Sequence, residues 1–444
     1  MNLLEQLNSR REARDHARFC HAPFRSLFFG LKGNVMTCCY NKVHILGNIQ
    51  QQSIREIWEG EKAQQIRASL NLNELKYGCQ NCSLILESGN FESSPTRVYD
   101  KLEEHTRYPS RMEFELDNTC NLECIMCNGE SSSAIRERRE RRPPILSPYG
   151  KDFIGQLDEF IPHLQNCTFL GGEPFLIPVY FEIWERMAAI NPAIEISIQT
   201  NGTILNSRVK KILESLNFNI TISLDSVVDE TYSAIRVNST LSRVKENIAY
   251  FAEYCKARNK GMSISFCVMP QNRFELHDIV QFCNQVGAHV FFNTVFFPPE
   301  CSLMNLSATE KEEVVVFMES HKPKAETTLE KGNLNKYLDV IAQIKSWINT
   351  NTASLNTEPL YQSLTDLKEQ LKLFLNDSHA SSNRFESITE KLDEIIVLAT
   401  NDGYKHEAEA ALLRVNPETF LRFFPDITAQ RGYELLKEQV LKVS

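Results

Sequence analysis

Between residues 111 and about 305, short apolar runs alternate with amphipathic stretches. The apolar runs predict strands at Met112–Asp117, Cys167–Leu170, Ile194–Thr200, Ile220–Leu224, Ser263–Met269 and His289–Val295. Apolar residues three and four apart predict helices at Phe153–Leu164, Pro178–Ile190, Ser207–Leu216, Leu241–Ala257 and Glu275–Val286. Strands that alternate with helices imply crossover connections and a parallel sheet, so the class is α/β. Six strands fit a doubly wound sheet or an incomplete barrel. In either, chemical groups belong at the carboxyl ends of the strands.

The flanks read differently. Phe24–Phe29 and Asn34–Met36 predict a short hairpin turning at Gly30–Gly33. The polar stretch Glu87–Ser110, with ESGNFESSP, reads as a linker. From about 306 the chain is polar and helical. Tyr361–Leu375 and Ile388–Ala399 carry helical spacing, and NTNTASLNTEP and NDSHASSN read as loops beside the first of them. Three regions follow: 1–105, 106–305, and a helical 306–444 that covers the core or meets a partner.

The 444 residues carry 48 Lys and Arg against 57 Asp and Glu, a net charge of −9, with 42% hydrophobic residues. That content supports packed cores and excludes general disorder. The acidic balance argues against nucleic acid as a partner. Nothing approaches the roughly 20 apolar residues of a membrane helix, and the charged start lacks an apolar signal core. A cytoplasmic location without membrane attachment is expected.

Thirteen cysteines in a reducing compartment point away from disulfides. Cys167, Cys255, Cys267 and Cys283 stand alone in apolar segments and read as core, and Cys301 sits in a loop beside prolines. The other eight cluster as Cys20, Cys38, Cys39, Cys79, Cys82, and then Cys120, Cys124, Cys127. Clustered thiols favour metal or catalytic roles. Asp117, Asn118, Thr119 and Asn121 favour a loop over a buried helical stripe at the second group. A structural zinc site there would need a fourth ligand. A [4Fe–4S] cluster usually takes four cysteines, so three leave one iron open to a chelating ligand.

Cys120-Asn-Leu-Glu-Cys124-Ile-Met-Cys127, after the first of the six strands, resembles the hallmark loop of the radical S-adenosylmethionine (radical SAM) superfamily. The resemblance implies a three-cysteine [4Fe–4S] cluster, S-adenosyl-L-methionine as cofactor, and an incomplete (β/α)6 barrel. It places Met126, where the family often has an aromatic residue, near the adenine. Gly171-Gly172-Glu173-Pro174 ends the second strand and matches the family's motif for the methionine ammonium, with Glu173 as a charge nearby. Gln199 and Asn201 at the third strand end, and Ser223, Asp225 and Arg236 at and after the fourth, match positions that meet the ribose and the methionine carboxylate. Cys267 and Val268 are placed either in the core or against adenine. The activity implied is reductive cleavage of the cofactor to a 5′-deoxyadenosyl radical that abstracts hydrogen from a substrate. An electron donor such as flavodoxin or ferredoxin is implied with it.

By spacing alone, Cys20, Cys38, Cys79 and Cys82 suit zinc. With Gly33, Leu46–Ile49, Ile54–Trp58 and Arg67, the pattern instead resembles SPASM/twitch domains, which implies one auxiliary [4Fe–4S] cluster. Cys39 either replaces Cys38 or is merely buried. The domain precedes the barrel here, whereas it usually follows it. The resemblance favours a ribosomally made peptide or protein side chain as substrate, with small metabolites second and a zinc-bearing binding protein third. No catalytic acid or base is identifiable. Arg136–Arg142 (RERRERR) reads as a solvated helix, and His21, His44 and His163 read as surface or satisfied core residues without metal spacing.

Overall fold

The computed structural model of the chain describes residues 2–13, 16–87, 91, 94–105, 107–353, 361–377, 382–413, 429, 430, 432 and 433. The strands are β1 Ser26–Phe29, β2 Asn34–Met36, β3 Gly47–Asn48, β4 Arg111–Phe114, β5 Asn166–Phe169, β6 Glu195–Thr200, β7 Asn217–Ser223, β8 Met262–Val268 and β9 His289–Thr294. They form one sheet in the order β3-β2-β1-β4-β5-β6-β7-β8-β9. From β4 to β9 every pairing is parallel, with crossover helices at Lys151–Phe160, Pro178–Ile190, Ser207–Ser215, Leu241–Arg258 and Leu276–Val286. The sheet is open, since β9 ends the order and does not return to β4. The six expected strands and five helices are present, with ends shifted by a few residues.

Register explains the two faces. Met112, Cys167, Ile196 and Phe218 are aligned partners, as are Ile222, Ile264 and Val290. These side chains are buried with Leu157, Trp184, Val209, Ile248, Phe251 and Ile279 of the helices in one core. Each such side chain contributes roughly 1.5–3 kcal/mol by leaving water. Alternation turns Glu113, Thr168, Ser197 and Asn219, then Ser223, Ser265 and Cys267, to the other face. That inner wall is polar and partly open, unlike the filled interior of a complete barrel.

The N-terminal hairpin forms as expected, and β1 also pairs in parallel with β4, Ser26 opposite Arg111 and Phe29 opposite Phe114. The first cysteine region therefore extends the same sheet. The predicted linker is not loose. Tyr99 is buried, and its hydroxyl donates to Glu113 at 2.9 Å. Beyond the sheet, Ala308–Ser320 and Thr328–Ala353 pack on the main core through Val314, Met318, Tyr337, Ile341 and Ile344. The second helix overruns the first half of NTNTASLNTEP, whose remainder lies outside the described residues. Leu364–Asp377, Ser382–Asn401 and Lys405–Leu412 share a second core that includes Val43 from the cysteine region. Residues 378–381 of the other expected loop lie outside the described residues. Among the described residues, no helix is long and apolar enough to cross a membrane.

Candidate functional site

The carboxyl ends of β4 to β8 carry the second cysteine group and its companions. After β4, the Asp117 carboxylate accepts from the amide and hydroxyl of Thr119 at 2.7 and 2.6 Å and turns the chain. The turn delivers Cys120, Cys124 and Cys127. The thiols of Cys124 and Cys127 hydrogen-bond, and Cys120 lies within electrostatic range of both. The Cys124 thiol is lowered to about 7, chiefly by the Cys127 hydrogen bond, with Arg236 helping. Burial pushes Cys120 up to about 11. Cys127 is pushed well up by the same hydrogen bond and by burial. A metal centre binding here must displace the thiol protons.

The glycines after β5 are pressed against this loop. The amide of Gly172 donates to the Asp117 carbonyl at 3.2 Å, and that of Glu173 to the Thr119 carbonyl at 2.8 Å. Gly171 has φ +113°, a region that suits glycine, and a Cβ there would lie 2.6 Å from the Asp117 carbonyl oxygen. Both glycines are needed for backbone to meet backbone beside the thiols.

Glu173 is fully buried and already occupied. It accepts from Thr200 Oγ1 at 2.7 Å, the Asn201 amide at 2.7 Å and the Phe175 amide at 3.1 Å. Burial raises its carboxyl to about 7 against these donors. It ties the end of β5 to the end of β6, so its contribution here is to fix the turn. Pro174 opens the short helical turn Pro174–Leu176.

Asn201 is likewise built into the loop. Its Nδ2 lies 3.0 Å from Asn121 Oδ1 and 3.9 Å from the Cys120 sulfur, and its Oδ1 accepts from Thr203. Asp225 and Arg236 form a buried pair, Oδ2 to Nε 2.6 Å, and Nη1 of Arg236 lies 3.8 Å from the Cys124 sulfur. Asp225 Oδ1 accepts from the Cys267 amide at 2.8 Å. Gln199 reaches Ser223 at 3.3 Å on the inner wall. Met126 packs with Ile125, Ile235, Cys267 and Met269 in a small apolar cluster. Cys267 thus borders the site and is only partly buried, whereas Cys167, Cys255 and Cys283 are core. Cys301 is buried as well, in the short turn Pro299–Cys301.

Several supports escaped sequence reasoning. Ser133 Oγ accepts from the Cys120 amide at 3.1 Å, Ser132 Oγ donates to the Leu122 carbonyl at 2.7 Å, and Arg139 Nη2 donates to the Cys124 carbonyl at 3.1 Å. The arginine run is therefore not a plain solvated helix. The helix ends at Arg138, and Arg136 is buried against Glu130 at 2.8 Å. Its closeness in sequence to the cysteines was the one available signal.

The first cysteine group forms a second site. Cys20, Cys38, Cys79 and Cys82 line one small pocket, together with Gly78 and Asn41. Burial raises the Cys38 thiol to about 11 and raises Cys20 and Cys79 further. Cys38 lines this pocket and Cys39 does not, although both thiols feel the Glu113 carboxylate. Among the described residues, no three cysteine sulfurs come within 4.8 Å of one another. Tetrahedral zinc on ~2.3 Å bonds would bring its thiolates to roughly 3.8 Å. The sulfurs here are spread more widely than that compact arrangement.

His44 is satisfied core, 3.0 Å from the Lys62 carbonyl, and His163 stacks on Tyr108. His21 meets His16 and Asp100 within 4.8 Å, a closeness its spacing did not suggest. Arg11 is 2.9 Å from the same Asp100, so the group is hydrogen-bonded beside fixed positive charge.

The sequence model of the radical SAM superfamily matches residues 115–283, and that of an iron–sulfur cluster-binding (SPASM) domain matches residues 20–83. Residues 115–283 thus match as a radical SAM domain. Its radical SAM domain implies a [4Fe–4S] cluster and S-adenosylmethionine, and its SPASM domain implies auxiliary iron–sulfur binding. A probable GTP 3′,8-cyclase of Methanocaldococcus jannaschii is 25% identical over 177 residues, 40% of this chain and 56% of that protein. The subtilosin biosynthesis protein AlbA of Bacillus subtilis is 27% identical over 193 residues, 41% of this chain and 38% of that protein. The chain thus matches less than two thirds of the length of these relatives. Streptococcus suis SuiB bound to the precursor peptide SuiA aligns with a TM-score of 0.35 at 14% identity, covering 55% of this chain and 58% of that one.

Proposed function

We propose that this protein is a radical SAM enzyme that modifies a ribosomally made peptide or protein side chain. The observation that carries the reading is the seating of the Gly171–Gly172 backbone on the loop that delivers three thiols. Cys120, Cys124 and Cys127 hold the cofactor-binding cluster. Gly171, Gly172 and Pro174 shape the ammonium site, and Glu173 and Asn201 lock it. Gln199 and Ser223 face the ribose, Arg236 faces the carboxylate with Asp225 behind it, and Met126 with Cys267 flanks the adenine. Cys20, Cys38, Cys79 and Cys82 hold one auxiliary cluster within residues 1–105, with the barrel at 106–305 and a helical region at 306–444. When bound, the reduced cluster supplies the electron that splits S-adenosylmethionine into methionine and a 5′-deoxyadenosyl radical. The chain's own part is to orient the cofactor, exclude water through the Met126 cluster and present the substrate on the polar inner wall.

Support for a peptide substrate comes from the SPASM match and from two relatives, AlbA and the mycofactocin maturase MftC of Mycobacterium tuberculosis, whose names describe biosynthesis and maturation. The GTP 3′,8-cyclase relatives favour a second reading, a nucleotide or other metabolite. Against a triphosphate, the wall cations Arg111 and Arg236 are already paired with Glu113 and Asp225.

Anaerobic incubation of reconstituted protein with S-adenosylmethionine and dithionite is expected to yield 5′-deoxyadenosine, and none with Cys124→Ala. Failure of the wild type to produce it refutes the enzymatic reading. A mass change in a small peptide encoded beside the gene supports the peptide reading, and conversion of GTP in its place supports the second.

A further inference from the structure

Glu113, Tyr99 and Arg111 join the first cysteine pocket to the inner wall of the sheet. Glu113 lies on β4, turns to that wall and is buried. Its Oε1 accepts from the Tyr99 hydroxyl at 2.9 Å and lies 3.4 Å from Arg111 Nε. Arg111 also donates to Asn166 Oδ1 at 3.1 Å and to Thr168 Oγ1 at 2.9 Å, which fixes the guanidinium. Tyr99 closes the short helical turn Pro95–Tyr99, and Thr96 of the same turn lines the pocket with Cys20, Cys38, Cys79 and Cys82. Arg25 Nη1 anchors this turn by donating to the Tyr99 carbonyl at 2.8 Å. One buried tyrosine thus spans from the pocket to the wall carboxylate. The charge of Glu113 reaches the thiols as well. After burial, it is the cause that most raises Cys38 and Cys39. The Tyr99 hydroxyl is raised by burial, then by Glu113, Cys38 and Cys39, so it stands within range of all three.

We propose that Glu113 is a positioning residue that acts through the auxiliary cluster of Cys20, Cys38, Cys79 and Cys82: its buried charge holds down the reduction potential there, and the Tyr99 hydroxyl limits how far. The proposal rests on the auxiliary-cluster reading above and adds what sets the potential. Reduction brings in one electron from a low-potential one-electron reductant, and no bond or proton changes hands. A fixed negative charge nearby opposes that added electron. The opposition is strong where water is excluded, because the field is weakly screened. Tyr99 and Arg111 point a hydroxyl dipole and a positive charge at the same carboxylate and offset part of its field. Loss of the carboxylate charge therefore raises the potential, and loss of the Tyr99 hydroxyl lowers it. A purely structural role for these side chains predicts no such pair of opposite signs.

The test uses the full chain with Cys120, Cys124 and Cys127 replaced by alanine, so that reconstitution with iron and sulfide fills the first site alone. A dithionite titration followed by paramagnetic resonance reads its midpoint potential. Glu113→Gln keeps an acceptor for Tyr99 and removes the charge. It is expected to make reduction about tenfold easier, an upward shift of about 59 mV for one electron. Tyr99→Phe is expected to shift the potential downward by a smaller amount. Iron and sulfide per chain are expected to match the parent in both. An unchanged or lowered potential in Glu113→Gln overturns the proposal. An upward shift in both variants also overturns it, since entry of water would then be the cause. If Glu113→Gln loses its iron, Tyr99→Phe decides alone, a downward shift supporting the proposal and an unchanged potential overturning it. If the parent binds zinc or no iron, the auxiliary-cluster reading fails and takes the proposal with it, whereas full iron with an unmoved potential sinks the proposal alone.

Discussion

A methyl group placed on Gly172 would lie 2.2 Å from the carbonyl oxygen of Thr119, one residue before Cys120. The obstacle is backbone, so it can yield only by moving the loop. Gly172→Ala is therefore expected to lose the iron of the three-cysteine site and all 5′-deoxyadenosine formation. Gly155→Ala, in a helix with nothing within 4 Å of its Cβ, is expected to keep both and to gain roughly 0.5–1 kcal/mol of stability. Iron and sulfide analysis with thermal unfolding measures each.

Glu173 makes stability depend on pH. Its folded carboxyl is raised to about 7, above an ordinary value near 4.5. Its stabilising contribution is thus complete below about pH 4.5 and is lost as pH rises through about 7. A fully buried shift of that size corresponds to about 3 kcal/mol. Glu173→Gln is expected to flatten the slope across that window. It is also expected to cost about 1–3 kcal/mol, because the amide presents a donor where the Asn201 amide needs an acceptor. Denaturant unfolding of the apoprotein at several pH values checks both effects.

The Arg236–Asp225 pair is buried on both sides, with 9% and 0% side-chain exposure. Arg236→Gln strands a carboxylate and is expected to destabilise the fold by about 3–5 kcal/mol. The double variant Arg236→Gln/Asp225→Asn is expected to recover a large part of that loss, though not cofactor cleavage. A double-mutant cycle in denaturant, run beside the 5′-deoxyadenosine assay, separates the two roles.

Cys38 and Cys39 are neighbours with different surroundings. Cys38→Ser is expected to lose the auxiliary cluster, about half of the bound iron if each site holds four irons. Cys39→Ser is expected to retain it. Iron per chain and the paramagnetic resonance spectrum of the reduced protein decide.

The barrel strands and the three-cysteine loop were readable because the signals are local: period-two apolar runs, turn residues, and thiols within eight positions. The face each strand buries followed from the same alternation. The roles of Glu173 and Asn201 were harder to read, because a motif names residues without saying whether their polar atoms are already occupied. Arg139 and Ser133 were invisible as supports, since any surface arginine or helix-start serine looks the same in sequence. Tyr99 was hidden in a polar stretch, and its partner Glu113 lies on a strand whose inner face only the register defines. The pairing of β1 with β4 had no local signature at all, because it joins residues 26 and 111 across the whole first region.

That pairing has a consequence for biosynthesis. The nascent chain releases β1 long before the ribosome has made β4, so the first strand waits with one edge open. An N-terminal fragment ending before residue 111 keeps that edge permanently and is expected to self-associate when expressed alone.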